Sequence, residues 1–448
     1  MILLLFTDYP FMPNVKISAD PGPTLNQGES SFAVSSSGDS IFVACNTNER
    51  GSYAALPFAA SYDGGTTFPT NYNFVDNSVG ITWHTDPVVG IDDSGYVHLL
   101  VQFSIYVIRH YLSRDGGHTW TDTSNISDLS TGGDVDKPWM VVKGDTVYVA
   151  WQEFGGSEEG IRFARSYDRG RTWQRFTVDP TTTGLVSLAV SPGGILHLAI
   201  IEWTSGNITY RRSYDHGSSW TSPVRIDYVS YNSGYGDRAP INSIAVFGDD
   251  TVFVSWVDDR NGTWDILGAY SYDGGNTWSP TFVVNQNLSG GQCKGWATFD
   301  PYGGLHVFYY DTPSWPTDTF SLWSVKYRYS PDFGQTWNPE IRITDTTFTS
   351  PVGFMGDYHT IYADSNYVYA VWADGREGDL DLFFSKAPIS LVKVRETREV
   401  ISEGTPSGYV KVYDVSGRLI YEGEYGKMSL KPGVYFVKSG RKVFKVMF

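Results

Sequence analysis

Six copies of one octapeptide constrain this chain more than any other feature. They read Ser61-Tyr62-Asp63-Gly64-Gly65-Thr66-Thr67-Phe68, Ser113-Arg114-Asp115-Gly116-Gly117-His118-Thr119-Trp120 and Ser166-Tyr167-Asp168-Arg169-Gly170-Arg171-Thr172-Trp173. Three more follow: Ser213-Tyr214-Asp215-His216-Gly217-Ser218-Ser219-Trp220, Ser271-Tyr272-Asp273-Gly274-Gly275-Asn276-Thr277-Trp278 and Ser330-Pro331-Asp332-Phe333-Gly334-Gln335-Thr336-Trp337. The shared pattern is S-x-D-x-G-x-[TS]-[WF], at separations of 52, 53, 47, 58 and 59 residues. A period of that size with strands around it reads as a propeller or an array. In each copy Asp and Ser side chains bond nearby backbone N–H groups and hold a tight turn. The Gly supplies the positive φ that such turns need. The Trp or Phe begins the outgoing strand, where it packs between neighbouring sheets.

Each repeat also carries an apolar strand ahead of its turn, and there are seven of these strands. They begin Ile41-Phe42-Val43, Val97-His98-Leu99, Val147-Tyr148-Val149, Leu196-His197-Leu198, Val252-Phe253-Val254, Leu305-His306-Val307 and Val368-Tyr369-Ala370. Seven strands against six turns leave one incomplete blade. Asp379–Ser385 stands where a third strand belongs, yet no turn motif or fourth strand follows it. At the other end, Asn14–Asp20 alternates like Ile341–Asp345 and Val224–Asp227, which follow turn motifs. Joining the two ends closes a ring and removes its free sheet edges. The expectation is therefore a seven-bladed propeller over residues 14–388, with six blades as the competing count.

These repeats resemble the Asp box, or BNR repeat, of sialidase-like β-propellers. The resemblance assigns Asp63, Asp115, Asp168, Asp215, Asp273 and Asp332 a structural role in turns remote from the ligand site. It implies an all-β, sialidase-like propeller. It does not supply a catalytic set: the early Arg-Ile-Pro of working sialidases is absent, and the nearest echo, Arg238-Ala239-Pro240, falls in the fifth repeat. No catalytic residue is assigned on this basis.

Composition narrows the partners. A formal charge of −16 and a pI near 4.9 argue against nucleic acid. Two cysteines, Cys45 and Cys293, make no disulfide framework, and Cys45 in a predicted inner strand reads as a buried free thiol. No stretch approaches the ~20 apolar residues of a membrane helix. Residues 1–13, opening Met1-Ile2-Leu3-Leu4-Leu5-Phe6, read as a leader remnant or a disordered N-terminus. Residues 389–448 change character: from 391 on there are 11 Lys and Arg against 6 Asp and Glu. Val410–Ile420, Pro432–Val437 and Lys442–Val446 suggest a small β-sandwich-like module. Over residues 409–448 the Tyr413-Asp414-Val415-Ser416-Gly417-Arg418 turn, the Leu430–Tyr435 approach and the basic last strand resemble the sorting domain of type IX secretion substrates. That resemblance implies the secretion machinery as a partner, and a secreted protein or one held at a bacterial outer-membrane surface.

In a propeller the repeated turns join the third and fourth strands, so the face opposite them, near the axis, is where ligands usually sit. Entering the first strand of successive blades are Trp83-His84-Thr85-Asp86, Asp134-Val135-Asp136-Lys137, Gly236-Asp237-Arg238, Lys294-Gly295-Trp296 and Gly356-Asp357-Tyr358-His359. From these come the ligand-binding candidates Asp86, Asp136, Lys137, Asp237, Arg238, Asp357 and His359. Trp264 and Trp315 are expected in loops of the same rim. Carboxylates, Arg and Trp together suit a glycan or polysaccharide, and paired carboxylates could serve glycoside hydrolysis. The competing reading is a hydrogen-bonded belt that locks blades together, with Asp258/Arg260 and Asp374/Arg376 as inter-blade ties. No cofactor is expected, although a carboxylate-rich rim could hold Ca²⁺. Two function classes stay open: a secreted glycan-binding or scaffold propeller without turnover, and a sialidase-like glycoside hydrolase with a divergent site.

Overall fold

A computed structural model describes residues 10–17, 26–47, 56–81, 83–230, 241–314, 321–352, 355–393, 408–413, 419–427, 434–439 and 442–447. Two compact units emerge, Met1–Ile389 and Ser390–Phe448. The first contains seven four-stranded antiparallel sheets, each a meander from an innermost to an outermost strand. Their innermost strands are Gln27–Val34, His84–Ile91, Asp134–Lys143, Gly184–Val190, Ser243–Phe247, Gly291–Phe299 and Ile361–Ala363, which define blades 1 to 7. The count is seven, not six.

Blades 1 to 6 are each built from consecutive strands, whereas blade 7 borrows its fourth. Val15–Lys16 pairs with the third strand Asp381–Pro388, Val15 opposite Phe384 and Lys16 opposite Phe383. Ile17 N–H donates to Leu382 O at 3.0 Å, and Met12 N–H to Lys386 O at 2.9 Å. Lys16 Nζ adds ion pairs to Asp381 (2.7 Å) and Glu377 (2.8 Å). The N-terminal strand expected from its alternation is therefore the outer strand of the last blade.

The second strands are the apolar heart of each blade. Ile41–Thr47 is buried along its whole length, and so is Val97–Phe103. Burial on both faces is what a strand sandwiched between blades requires. Cys45 and Cys293 are both buried, and neither is in a disulfide.

The repeated turns have one geometry in all six copies. In the first, Ser61 Oγ accepts from Gly65 N–H at 2.8 Å, and Asp63 accepts from Thr67 N–H at 2.9 Å and Thr67 Oγ1–H at 2.7 Å. The sixth repeats it with Ser330, Asp332, Gly334 and Thr336 at 2.7, 2.7 and 2.6 Å. Gly65 needs its φ of 86° and also its bareness, since a Cβ there would sit 2.2 Å from the Phe384 ring of the preceding blade.

The aromatic that ends each turn then meets a ring of the preceding blade. Phe68 meets Phe384 at 5.6 Å, Trp120 meets Phe58 at 5.2 Å, Trp173 meets His110 at 5.7 Å and Trp220 meets Phe163 at 5.4 Å between centroids. Trp278 on Tyr210 (5.3 Å) and Trp337 on Phe253 (6.2 Å) continue the series. Edge-to-face geometry predominates, as ring quadrupoles favour. Blade 7 has no such turn, and Phe11 supplies the missing ring, 5.2 Å from Tyr327 of blade 6. Phe11 falls within the stretch that the sequence assigns to a leader or disordered end, yet it is buried here.

In the second unit the described strands form one antiparallel sheet in the order Leu419–Glu424, Tyr409–Tyr413, Val434–Ser439, Lys442–Met447. Val410, Val412 and Val437 are its buried centre.

Candidate functional site at the axial mouth

The innermost strand of a meander starts on the face opposite the turn between the third and fourth strands, because strands one and three run the same way. In four blades that starting segment carries the same irregularity. Register breaks between Gly28 and Ser31, Thr85 and Val88, Asp136 and Trp139, and Cys293 and Trp296, so each of these strands gains a bulge. The first bulged residue is charged in all four and has positive φ: Glu29 at 52°, Asp86 at 45°, Lys137 at 49° and Lys294 at 54°. A non-glycine residue held there costs of order 1–2 kcal/mol and persists only where its surroundings enforce it.

The enforcing contacts are ionic. Lys137 Nζ lies 3.1 Å from Glu29 Oε1, 2.9 Å from Asp86 Oδ1 and 2.8 Å from Asp357 Oδ2. Blades 1, 2, 3 and 7 thus meet at one ammonium. Asp357 N–H donates to Glu29 Oε1 at 3.1 Å, and Asn46 Nδ2 bonds both Glu29 Oε2 and Thr85 Oγ1. Lys294 Nζ bonds Gly356 O, which holds the chain carrying Asp357.

Burial and charge split the acids. Burial pushes Glu29 up to about 8, helped by Asp86 and Asp357 and opposed by Lys137. Asp86 is also raised, first by burial. Burial would raise Asp357 too, but the Lys137 and Lys294 ammonium groups outweigh it and hold its carboxyl below the usual range. Lys137 is disfavoured as a cation by burial and restored by its three carboxylates, which hold it well above the ordinary lysine value.

Beside the charges stands an aromatic and aliphatic wall. Trp139 and Trp296 lie 4.5 Å apart between centroids, and Tyr358 meets Trp139 edge-on at 5.7 Å. Lys137 Nζ sits 5.6 Å over the Tyr358 ring. Leu185, Val186 and Ile241 of blades 4 and 5 complete a shallow apolar recess of about 20 Å³ against Trp139 and Trp296. The mouth is therefore two-sided, ionic toward blades 7, 1, 2 and 3 and apolar toward blades 3 to 6.

Of the seven candidates, Asp86, Lys137 and Asp357 converge directly. Asp136 lies next to them, accepting from Gln152 Nε2 at 3.1 Å and Gln102 Nε2 at 3.4 Å. His359 is fully buried between Ser30 Oγ (2.8 Å) and Met355 O (2.9 Å), with burial and Lys294 pushing it down to about 3. It braces the mouth as a neutral ring. Asp237 and Arg238 lie outside the described residues, as does Trp315. Trp264 is buried instead of rimming the mouth.

Glu29 and Lys294 are the members that sequence reasoning left off the candidate set. The signal for them is a charged residue followed by Pro, Gly or Ser just before an apolar strand: Asp86-Pro87, Lys137-Pro138, Lys294-Gly295 and Glu29-Ser30.

The Asp–Arg pairs at the rim tie blades. Arg260 bonds Asp258 of its own blade at 2.8 Å and Asp227 of blade 4 at 2.9 Å, while Arg376 bridges Asp374 and Asp345. Among the described residues no group of three or more His, Cys, Asp or Glu is placed to hold a metal ion. At the axis the cation gathering the carboxylates is the chain's own Lys137. No described helix is long and apolar enough to cross a membrane.

No protein-family model and no curated protein matches the chain. Solved structures do. The α-L-arabinanase of Penicillium chrysogenum complexed with arabinobiose superposes with a TM-score of 0.49 at 14% identity, over 86% of this chain and 99% of that one. A Hadza microbial sialidase gives 0.45 at 16%, over 78% and 76%. The Fusarium graminearum α-L-arabinofuranosidase with arabinobiose gives 0.46 at 12%, over 85% and 99%.

Proposed function

We propose that this chain is an exported bacterial propeller that holds a glycan at its axial mouth without turning it over. The observation that carries the reading is the two-sided mouth. A sugar ring has an apolar face and a hydroxyl edge, and Trp139 and Trp296 stand beside Asp357, Asp136 and Lys137. The absence of turnover follows from Lys137. A glycosidase keeps its two carboxylates about 5–9.5 Å apart with the anomeric carbon or a water between them. Here the ammonium stands among Glu29, Asp86 and Asp357, within 3.1 Å of each.

One observation favours the second reading, a glycoside hydrolase. Glu29 is pushed up and Asp357 down, the division of labour that separates an acid from a base. A glycan array run beside a fluorogenic glycoside panel, sialosides included, separates the two. Binding that Trp139→Ala and Asp357→Asn abolish, with no glycoside released, is expected. Release that Asp357→Asn abolishes would establish the hydrolase instead. If neither binding nor release occurs, the mouth is only a lock between blades.

Export rests on residues 409–448. Their resemblance to a secretion sorting domain supports a role as the address read by the secretion machinery, with the propeller as cargo. Deleting them should leave the propeller folded in the periplasm. Surface display of the truncated chain would refute the assignment.

A further inference from the structure

The outer wall of the ring is sealed at most seams between blades by a residue at or beside the start of an outermost strand. Asn71 of blade 1 reaches Ile17 O at 2.7 Å, and Arg175 of blade 3 reaches Ile126 O at 2.5 Å. Thr281 of blade 5 reaches Asp227 at 2.5 Å, and the Glu340 N–H of blade 6 reaches Gln286 at 2.8 Å. Blade 2 has Thr123 there, an exposed side chain with no hydrogen bond to blade 1 among the described residues. Between blades 1 and 2 the wall accordingly opens into a recess of about 520 Å³, within the range of small-ligand sites.

Its lining is rigid and amphipathic. Trp120 Nε1–H donates to Tyr72 Oη at 2.6 Å, and Tyr72 Oη–H donates to Gly117 O at 2.5 Å, so both rings are fixed before any ligand arrives. Opposite them Arg109 Nη1 donates to Asp76 Oδ2 at 2.7 Å and Ser78 Oγ at 2.8 Å, and Tyr111 Oη–H to the same Asp76 oxygen at 2.6 Å. Burial would raise the Asp76 carboxyl, but the Tyr111 and Ser78 hydrogen bonds and the Arg109 charge hold it below the usual range. The guanidinium is thus matched by a carboxylate, and the recess offers polar edges without a net field. Asn73 and His118 add exposed polar groups at its lip.

We infer that this lateral recess is a second carbohydrate site, independent of the axial mouth, and that it takes a neutral hexopyranoside. Fixed aromatic rings suit the apolar face of a sugar, and the Asp76, Arg109 and Asn73 edges suit its hydroxyls. The internal neutralisation of Arg109 disfavours sialic and uronic acids, whose carboxylate would need an unmatched cation.

The test uses the full chain and saturation-transfer NMR with methyl glucoside, galactoside, mannoside and N-acetylglucosaminide, alongside methyl glucuronide and sialoside. Thr123→Arg copies the residue type that seals the next seam and removes no existing contact, so it should fill the recess while the thermal midpoint is kept. At least about tenfold weaker binding of a neutral glycoside is expected in Thr123→Arg. Asn73→Ala together with His118→Ala, exposed positions, should weaken the same ligand. The axial variant Trp139→Ala should leave it unchanged. Three outcomes overturn the inference: no neutral glycoside bound by the wild type, binding that survives Thr123→Arg, or preference for the acidic sugars. Loss in Trp139→Ala alone would place the sugar at the axis and leave the lateral recess without a role.

Discussion

Replacing Glu29 by Gln should change the pH dependence of folding more than its magnitude at any one pH. In the native ring Glu29 is buried, with Oε1 bonded to Lys137 Nζ and Asp357 N–H. Oε2 faces Asn46 Nδ2, while Asn46 Oδ1 is buried without a partner among the described residues. Rotating that amide, whose ends are assigned from hydrogen bonding, would let Oδ1 accept a hydrogen bond from the protonated Glu29 Oε2–H. The neutral carboxyl is therefore the form this pocket suits, in line with its rise from an ordinary 4.5 to about 8.

The sign follows from proton uptake. Between these two values the native state holds a proton that the unfolded chain has released, so stability falls as pH rises through this window and levels off above about 8. The full shift corresponds to on the order of 5 kcal/mol, and partial water access at Lys137 reduces the expectation to about 2–5 kcal/mol. Gln mimics the neutral carboxyl and does not titrate. Urea unfolding of both proteins from about pH 5 to about pH 9 should then show the variant gaining on the wild type by that amount across the range. A stability difference independent of pH would refute the argument, because Glu29 would then ionise as an ordinary carboxyl.

Phe11→Ala should cost about 3–5 kcal/mol and loosen the seam between blades 6 and 7. Hydrogen exchange in Ser324–Ser330 and Asp381–Pro388 would report it, and unchanged protection there would mean that Phe11 seals nothing. Asp273→Ala removes the acceptor of Thr277 N–H and Oγ1–H and should cost about 1–2 kcal/mol. Glycan binding at the axial mouth should persist in that variant, and its loss without loss of stability would put the turns in the binding site. Removal of residues 409–448 should leave the thermal transition of the propeller in place, as measured by calorimetry on the purified truncated chain.

Much of the ring was legible from side-chain pattern alone. Seven apolar second strands and six repeated turns count the blades, since both depend on local chemistry repeated at a fixed interval. Val15–Lys16 was recognisable because it shares its alternation with Ile341–Arg342 and Val224–Tyr228. The axial cluster was half legible. Asp86, Lys137 and Asp357 were marked by position, whereas Glu29 in Gln27-Gly28-Glu29-Ser30 looks like an ordinary polar strand end until the bulge turns it inward. A bulge is a backbone event shared between two strands, and it leaves only a faint trace in one of them. His359 and Trp264 misled for a related reason: a residue named in a rim segment can still turn its side chain into the blade. Phe11 was invisible because its partner, Tyr327, is remote in the chain.

That remoteness has a kinetic consequence. Pairing inside blades 1 to 6 joins neighbours in sequence, but the contact of Ser385 Oγ with Met12 O spans 373 residues. Closing a loop of that length costs about 5 kcal/mol of chain entropy, against less than half as much for a hairpin. Six blades can assemble in order as the chain emerges, while the last waits for an arm made first. The seam between blades 6 and 7, with the arm Pro10–Ile17, should consequently be the last part of the ring to form and the first to open. A circular permutant that links the arm directly behind Pro388 and begins at another inter-blade connection would make this closure local and move the slow step to a different seam.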